Sequence, residues 1–204
     1  MSYPGAGHSR GRDLERLLTF VDAIAAIAIT LLVLPLVELT SEVTPDDSVA
    51  SVLRANQPLL WSFVLSFAVI SRFWFTQHRS LRHVLYAHGG LTALLMLWTL
   101  TIVFLPFPTA LVAQAGDQVT TKVVYIGTMI VSTVVIALMD LVIIQNPQIT
   151  DGTGLPDLNR ALINAMLLLL ALLISVSVPA TSYFPLLLLA LDAPVRRLLG
   201  KARR

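Results

Sequence analysis

Apolar stretches long enough to cross a bilayer recur along this chain, and they leave few folds open to it. A bilayer core of about 30 Å takes roughly 20 apolar residues in a helix. Lipid offers no partner to backbone N–H and C=O groups, so a spanning stretch of this length must satisfy them internally, as a helix does. Residues 14–38, 49–76, 88–113, 120–145 and 159–178 qualify, and a shorter sixth stretch, 181–199, is interrupted by Pro185 and Pro194. A tight turn near 177–182 joins the last two, so a single hairpin or re-entrant segment is the rival to the count of six. The second stretch is rich in aromatics (Trp61, Phe63, Phe67, Phe73, Trp74, Phe75), and the third ends in the Pro106-Phe107-Pro108 break. Of the 204 residues, 56% are hydrophobic and 13% are charged. A soluble domain carries roughly 25% charged residues, so lipid must be the solvent for most of this surface.

The charges that remain are clustered. If both termini face the cytoplasm, the inner segments hold Arg10, Arg12, Arg16, Arg72, Arg79, Arg82, Arg160, Arg196, Arg197, Lys201, Arg203 and Arg204. That is twelve of the fourteen basic residues; only Arg54 and Lys122 fall elsewhere. Glu38, Glu42, Asp46, Asp47 and Asp117 lie on the outer side. The positive-inside rule demands such a bias, and a five- or seven-span arrangement would send one basic end outward. Residues 1–12, polar and Gly-rich, read as a disordered cytoplasmic N-terminus. The apolar run after them is too long for a signal h-region and reads as a helix that stays. The expected organisation is all-α and polytopic: one six-helix membrane domain at 13–199 and a basic cytoplasmic tail at 200–204 that would hold anionic inner-leaflet lipid.

The first span carries the chemistry. At 3.6 residues per turn, Ala23, Ile27, Thr30/Leu31, Leu34 and Glu38 share one face. Turned toward a symmetry axis, that face would stack small, apolar, hydroxyl, apolar and acidic rings. An apolar ring can gate a pore by dewetting, a threonine ring offers oxygens to a cation, and an acidic mouth concentrates cations. An ordinary packed transmembrane helix explains the same stripe, since small and apolar faces are the rule in bundles. Asp22 sits inside the apolar run, where an ionised carboxylate costs roughly 2.5–3.5 kcal/mol. It therefore needs partners, and Arg72, Trp74 and His78 at the inner end of the second span are the candidates. An inter-helix staple is the favoured role, with an ion ligand or proton relay the alternative.

Other residues read mainly as structural. Pro35 deprives the Leu31 carbonyl of its helical donor and predicts a kink. Asp140 in the fourth span needs a partner, for which Arg72 or Arg79 would serve. Asp192 and Arg196 form an i, i+4 pair. His83 and His88 read as solvated loop histidines, although a proton sensor is conceivable chemistry for either. There is no cysteine, the four histidines have no zinc-ligand spacing, and no phosphate- or dinucleotide-binding loop or nucleophile motif occurs. No enzyme, cofactor, bound metal or nucleic-acid partner is expected.

Arg16-x-x-x-Phe20-x-Asp22, followed by an alternating Ala/Ile run into Thr30-Leu31-Leu32-Val33-Leu34, resembles the first-helix signature of the transmembrane protein 175 family. These are lysosomal potassium channels of animals and their prokaryotic relatives. Val21 stands where the family usually has Ser. Ser66-Phe67 leading to Trp74 and His78 continues the resemblance, with the family's histidine pair reduced to His78 beside Gln77, as does Leu105-Pro106-Phe107-Pro108-Thr109. The resemblance implies a homotetramer in the cell membrane that passes K⁺ with modest selectivity through a central pore lined by the first helix. It makes Ile27 the constriction, Thr30 the hydroxyl layer, Leu31 and Leu34 further apolar positions and Glu38 the mouth. Arg16, Phe20 and Asp22 would then hold the first helix against the second and third, with Trp74 and His78 as partners. A proton-coupled transporter or leak pathway, and a non-conducting scaffold, are the rival functions.

Overall fold

The computed structural model describes residues 6–41, 43–44, 48–86, 88–116, 118–154, 156 and 158–177. It is all-helical among these residues, apart from one isolated antiparallel bridge between Val84 and Thr150. In chain order the α-helices are α1 (Ala6–Leu31), α2 (Leu34–Glu38), α3 (Val49–Ala55), α4 (Gln57–Leu81), α5 (Gly89–Phe104), α6 (Pro106–Ala115), α7 (Val119–Gln145) and α8 (Leu158–Ser177). Four helical stretches are long and apolar enough to span a membrane: Gly11–Ser41, Gln57–Leu81, Gly89–Ala115 and Val119–Gln145. The shorter apolar stretch Leu162–Ser177 matches the expected fifth span. The expected sixth span and the basic tail lie outside the described residues.

Proline chemistry sets the breaks. Pro35 has no N–H, and the ladder before it tightens: Leu32 donates to the Ile29 carbonyl and Val33 to that of Thr30, each at 3.2 Å. The kink expected at Pro35 is this interruption between α1 and α2. Pro58 does the same one span later. The second span, expected as one helix over 49–76, is two: α3, capped by Ser48 through the Ser51 amide, ends at Asn56, and α4 starts afresh. At its C-terminal end α4 runs to Leu81, beyond the expected residue 76, because amphipathic packing continues through buried Gln77 and Leu81. Pro106 divides α5 from α6 but does not end the span, since a proline is tolerated at the first turn of a helix. Residues 6–12, expected to be disordered, are the first turns of α1. Once packing from Leu14 onward has nucleated a helix, extending it adds a hydrogen bond per residue.

The hub of the bundle is α7, which packs on α8, α5, α6 and α4, while α1 lies on α5 and α4. Half of the apolar window of α7 is buried inside the protein, against 22% for the first span. Trp98, Tyr125, Ile70, Leu95, Met129 and Met139 fill the centre. Polar groups tie the helices together where no water competes. Ser66 Oγ of α4 lies 2.9 Å from the Tyr125 hydroxyl of α7 and 2.8 Å from Thr109 Oγ1 of α6. Thr101 of α5 and Ser132 of α7 share a hydrogen bond. Lys122, expected in the outer part of the protein, is 1% exposed and donates to the Ser175 carbonyl of α8 at 3.0 Å.

Beyond α4 and α7, two connections are clasped to each other. The Leu85 amide donates to the Ile149 carbonyl at 2.7 Å, and the Asp151 amide to that of His83 at 3.0 Å. His83 Nδ1 lies 3.0 Å from Asp151 Oδ2, and Arg82 Nε donates to His83 Nε2 at 2.8 Å. Nε2 therefore accepts from Arg82, and Nδ1 faces Asp151. His83, expected to be a solvated loop residue, is instead the pin between two loops. Gly154 closes the arrangement: a Cβ there would come within 2.9 Å of the His83 ring.

Replacing Tyr125 with Phe removes one buried inter-helix hydrogen bond. The expected loss is about 0.6 kcal/mol, with about 1.7 kcal/mol as the upper bound for such bonds in membrane bundles, read from the unfolding midpoint of purified protein. At the clasp, the Thr153 backbone amide and then His83 hold the Asp151 carboxyl down from 3.8 to about 2. A folded-state value below the unfolded one means that the charged form favours the clasp. Its contribution is complete above 3.8 and fades as pH falls toward 2. Hydrogen exchange at the Thr153 amide, corrected for intrinsic rates, should therefore quicken as pH falls from 5 toward 2. In Asp151→Ala it should already be faster at pH 5.

Candidate functional site

The first span has two faces, and the structure assigns them. Leu14, Val21, Ala25, Ala28 and Leu32 are buried against the neighbouring helices. Val21 is fully buried, so the position where the family usually has Ser is an apolar contact of the bundle. The opposite face is open: Phe20 is 54% exposed, Ile27 57%, Leu31 43% and Leu34 52%. Arg16, Ala23, Thr30 and Glu38 are exposed with them. Each candidate pore residue thus points out of its own subunit. Small residues on the buried side (Ala25, Ala28) bring the α1 backbone close to its neighbours.

One bond fixes which face points where. Trp74 Nε1 of α4 donates to Asp22 Oδ1 at 2.7 Å. The His78 ring stacks on Trp74, centroids 5.5 Å apart and planes 26° from parallel, and Phe75 meets Trp74 edge-on. Asp22, Trp74 and His78 therefore form one cluster, as expected for an inter-helix staple. Arg16 and Phe20 do not join it; they lie on the exposed stripe with Ala23. Arg72, the other partner considered for Asp22, faces away and donates from Nη2 to Asn164 Oδ1 of α8 at 2.9 Å. Asp140 is 4% exposed and lines the same cavity as Arg72 and Arg79, the two guanidiniums expected to serve it.

Thr30 is bonded back to its own helix. Its hydroxyl donates back to the Ile27 carbonyl at 2.7 Å. The proton is thereby committed to the helix, and the remaining lone pairs of the oxygen are what the side chain can offer outward. One turn later the helix is interrupted before Pro35, whose ring leaves the Leu31 carbonyl without an i+4 donor. Glu38 ends α2 at the exposed C-terminal end of the same stripe. Among the described residues no group of three or more His, Asp or Glu side chains could hold a resident metal.

Three comparisons bear on this arrangement. The family model described as endosomal/lysosomal potassium channel TMEM175 matches residues 16–106, which take in the whole exposed stripe and the Asp22–Trp74 staple. A potassium channel of Chamaesiphon minutus is 36% identical over 108 residues, covering 50% of each chain. The match thus spans about half the length of that curated relative. The crystal structure of a lysosomal potassium-selective channel TMEM175 homolog from Chamaesiphon minutus superposes with a TM-score of 0.61 at 23% identity, covering 89% of this chain and 98% of that one. At that identity the superposition speaks to fold, and the fold is the same helical membrane architecture. The signature on the first span thus lies in a segment that matches the TMEM175 family model, and the chain shares the fold of a TMEM175 homolog.

Proposed function

We propose that the protein is a passive, modestly potassium-selective cation channel, built as a homotetramer whose first spans converge on a central pore. The observation that carries this reading is the outward stripe of Ile27, Thr30, Leu31 and Leu34 on a helix whose other face is buried. An apolar stripe that its own subunit leaves uncovered must meet either lipid or copies of itself. The match of residues 16–106 to a potassium-channel family favours the second, and a Thr30 hydroxyl whose proton is bound to its own helix still has lone pairs to offer a cation. Glu38 at the outer end fits a mouth that concentrates cations. The names of the relatives, a potassium channel and a potassium-selective channel homolog, support the same choice of ion.

In this reading Ile27 forms the narrowest ring and gates by dewetting. Leu31 and Leu34 narrow the path beyond the Thr30 layer. Trp74, stacked on by His78, holds Asp22, and so holds the rotation of α1 that presents the ring to the axis. The protein sits in the cell membrane with both termini cytoplasmic, the orientation the clustered arginines favour.

Purified protein in liposomes should pass K⁺ faster than Na⁺, and its mass in detergent should be that of four chains. Ile27→Asn wets the constriction and should raise K⁺ flux several-fold; unchanged flux would remove Ile27 from the gate. Trp74→Phe keeps the ring but removes the donor to Asp22. It should cost about 1.5–3 kcal/mol, the range for a hydrogen bond to a charged group, and lower K⁺ flux by loosening the α1 rotation. Asp22→Asn keeps an acceptor for Trp74 and should do less on both measures.

A further inference from the structure

Away from the outward stripe, α4, α7 and α8 enclose a cavity of about 300 Å³ that the channel reading does not use. Residues 72, 76, 79 and 83 follow one another at helical spacing along α4 and its C-terminal extension, on a face distinct from that of Trp74 and His78. Arg72, Arg79, Arg82 and His83 all line the cavity, against one carboxylate, Asp140. Two of these arginines are set by neighbours. Arg72 is hydrogen-bonded to Asn164, itself 8% exposed, and Arg82 is held through Nε by the clasped His83. Arg79 is exposed and, among the described residues, has no hydrogen-bonding or ion-pair partner.

The rest of the wall is apolar, with Val69, Ile136 and Leu168 among the lining. The cavity is therefore amphipathic. Its basic residues sit at the last turns of α4, at the membrane face where the arginines cluster, and its apolar wall runs back along the bundle. Three guanidiniums repel any cation, so the space is not a side branch of a potassium path. Asp140 is nearly fully buried and offsets one of the three positive charges, leaving a net positive site. Guanidinium forks match the oxygens of a phosphate, and basic pockets between transmembrane helices hold anionic headgroups. The volume is at the lower end of the range for small-ligand sites, enough for a phosphate with a short polyol.

We propose that this cavity is a binding site for a phosphate-bearing anion, with Arg79 and Arg82 as its contacting guanidiniums and Arg72 as the fixed charge behind them. The phosphate belongs either to an anionic lipid headgroup or to a small soluble ligand. An occupant would bridge α4 to α8 and to the loop that carries Asp151 and Gly154.

Native mass spectrometry on the delipidated full chain tests this with phosphatidylglycerol against phosphatidylcholine of the same acyl chains. Wild-type protein should retain phosphatidylglycerol in preference. R79Q/R82Q should lose about 25-fold in that retention, roughly fivefold for each arginine. Inorganic phosphate added to the same sample separates the sources: displacement of phosphatidylglycerol marks a site for soluble phosphate, and retention marks a lipid site. Equal retention of the two lipids by wild-type protein overturns the proposal, as does unchanged retention in R79Q/R82Q. Should that variant fail to fold, phenylglyoxal labelling of wild-type protein decides. Phosphatidylglycerol should protect Arg79 and Arg82, and equal labelling with and without it overturns the site.

Discussion

A single hydrogen bond, Trp74 Nε1 to Asp22 Oδ1 at 2.7 Å, settles how the first span is turned. An amphipathic helix in water orients itself by burying its apolar side. A helix that is apolar all round has no such guide in lipid, where acyl chains are as apolar as leucine. Asp22 breaks that degeneracy. An unpartnered carboxylate at this depth costs several kcal/mol, so every rotation that takes Asp22 away from Trp74 is penalised. The residues at helical spacing from Asp22 then have no choice. Val21, Ala25, Ala28 and Leu32 go inward, and Ile27, Thr30, Leu31 and Leu34 go outward.

The same logic runs through the rest of the bundle. Ser66, Thr109 and Tyr125 join α4, α6 and α7, and Thr101 with Ser132 joins α5 to α7. Lys122 reaches the Ser175 carbonyl, near the end of α8. These groups lie on faces that would otherwise have only dispersion forces to choose between partners. A hydroxyl or ammonium that must find an acceptor specifies one neighbour and one register. That explains why α7, which carries three of the contributing side chains, is the hub around which the other helices are placed.

Much of this was legible in the sequence, and the limits of that reading have physical causes. Length and hydropathy located the spans, because the bilayer imposes one length on every crossing. The cost of a buried carboxylate pointed from Asp22 to Arg72, Trp74 and His78, of which Trp74 is the donor. Spacing alone put Ile27, Thr30, Leu31 and Leu34 on one face, though it could not say that their own subunit leaves them uncovered. Pro58 was the missed signal in the second span: it follows Asn56-Gln57 and, like Pro35, cannot continue a helical ladder. His83 was misread for a different reason. A histidine in a loop is usually solvated. Only the tertiary arrangement brings Asp151, Thr153 and Arg82 to it, as it brings the Ser175 carbonyl to Lys122. No local pattern encodes those meetings.

The local chemistry of the outward stripe also bears on how selective the proposed pore can be. Thr30 contributes one side-chain oxygen per subunit, with apolar Ile27 before it and Leu31 and Leu34 after it. In a tetramer that is a single layer of four oxygens between hydrophobic collars. It is too few to replace a full hydration shell, as a stack of backbone carbonyls does in potassium channels with a carbonyl filter. A cation would therefore cross the collars with part of its water still attached. Discrimination then rests on the cost of shedding the remainder. Potassium, with its lower charge density, holds water less tightly than sodium and passes more easily, by a margin set by the width of the Ile27 ring. Such a pore favours potassium without excluding sodium. Its selectivity should be sensitive to the bulk at position 27 and less so to the hydroxyl at 30.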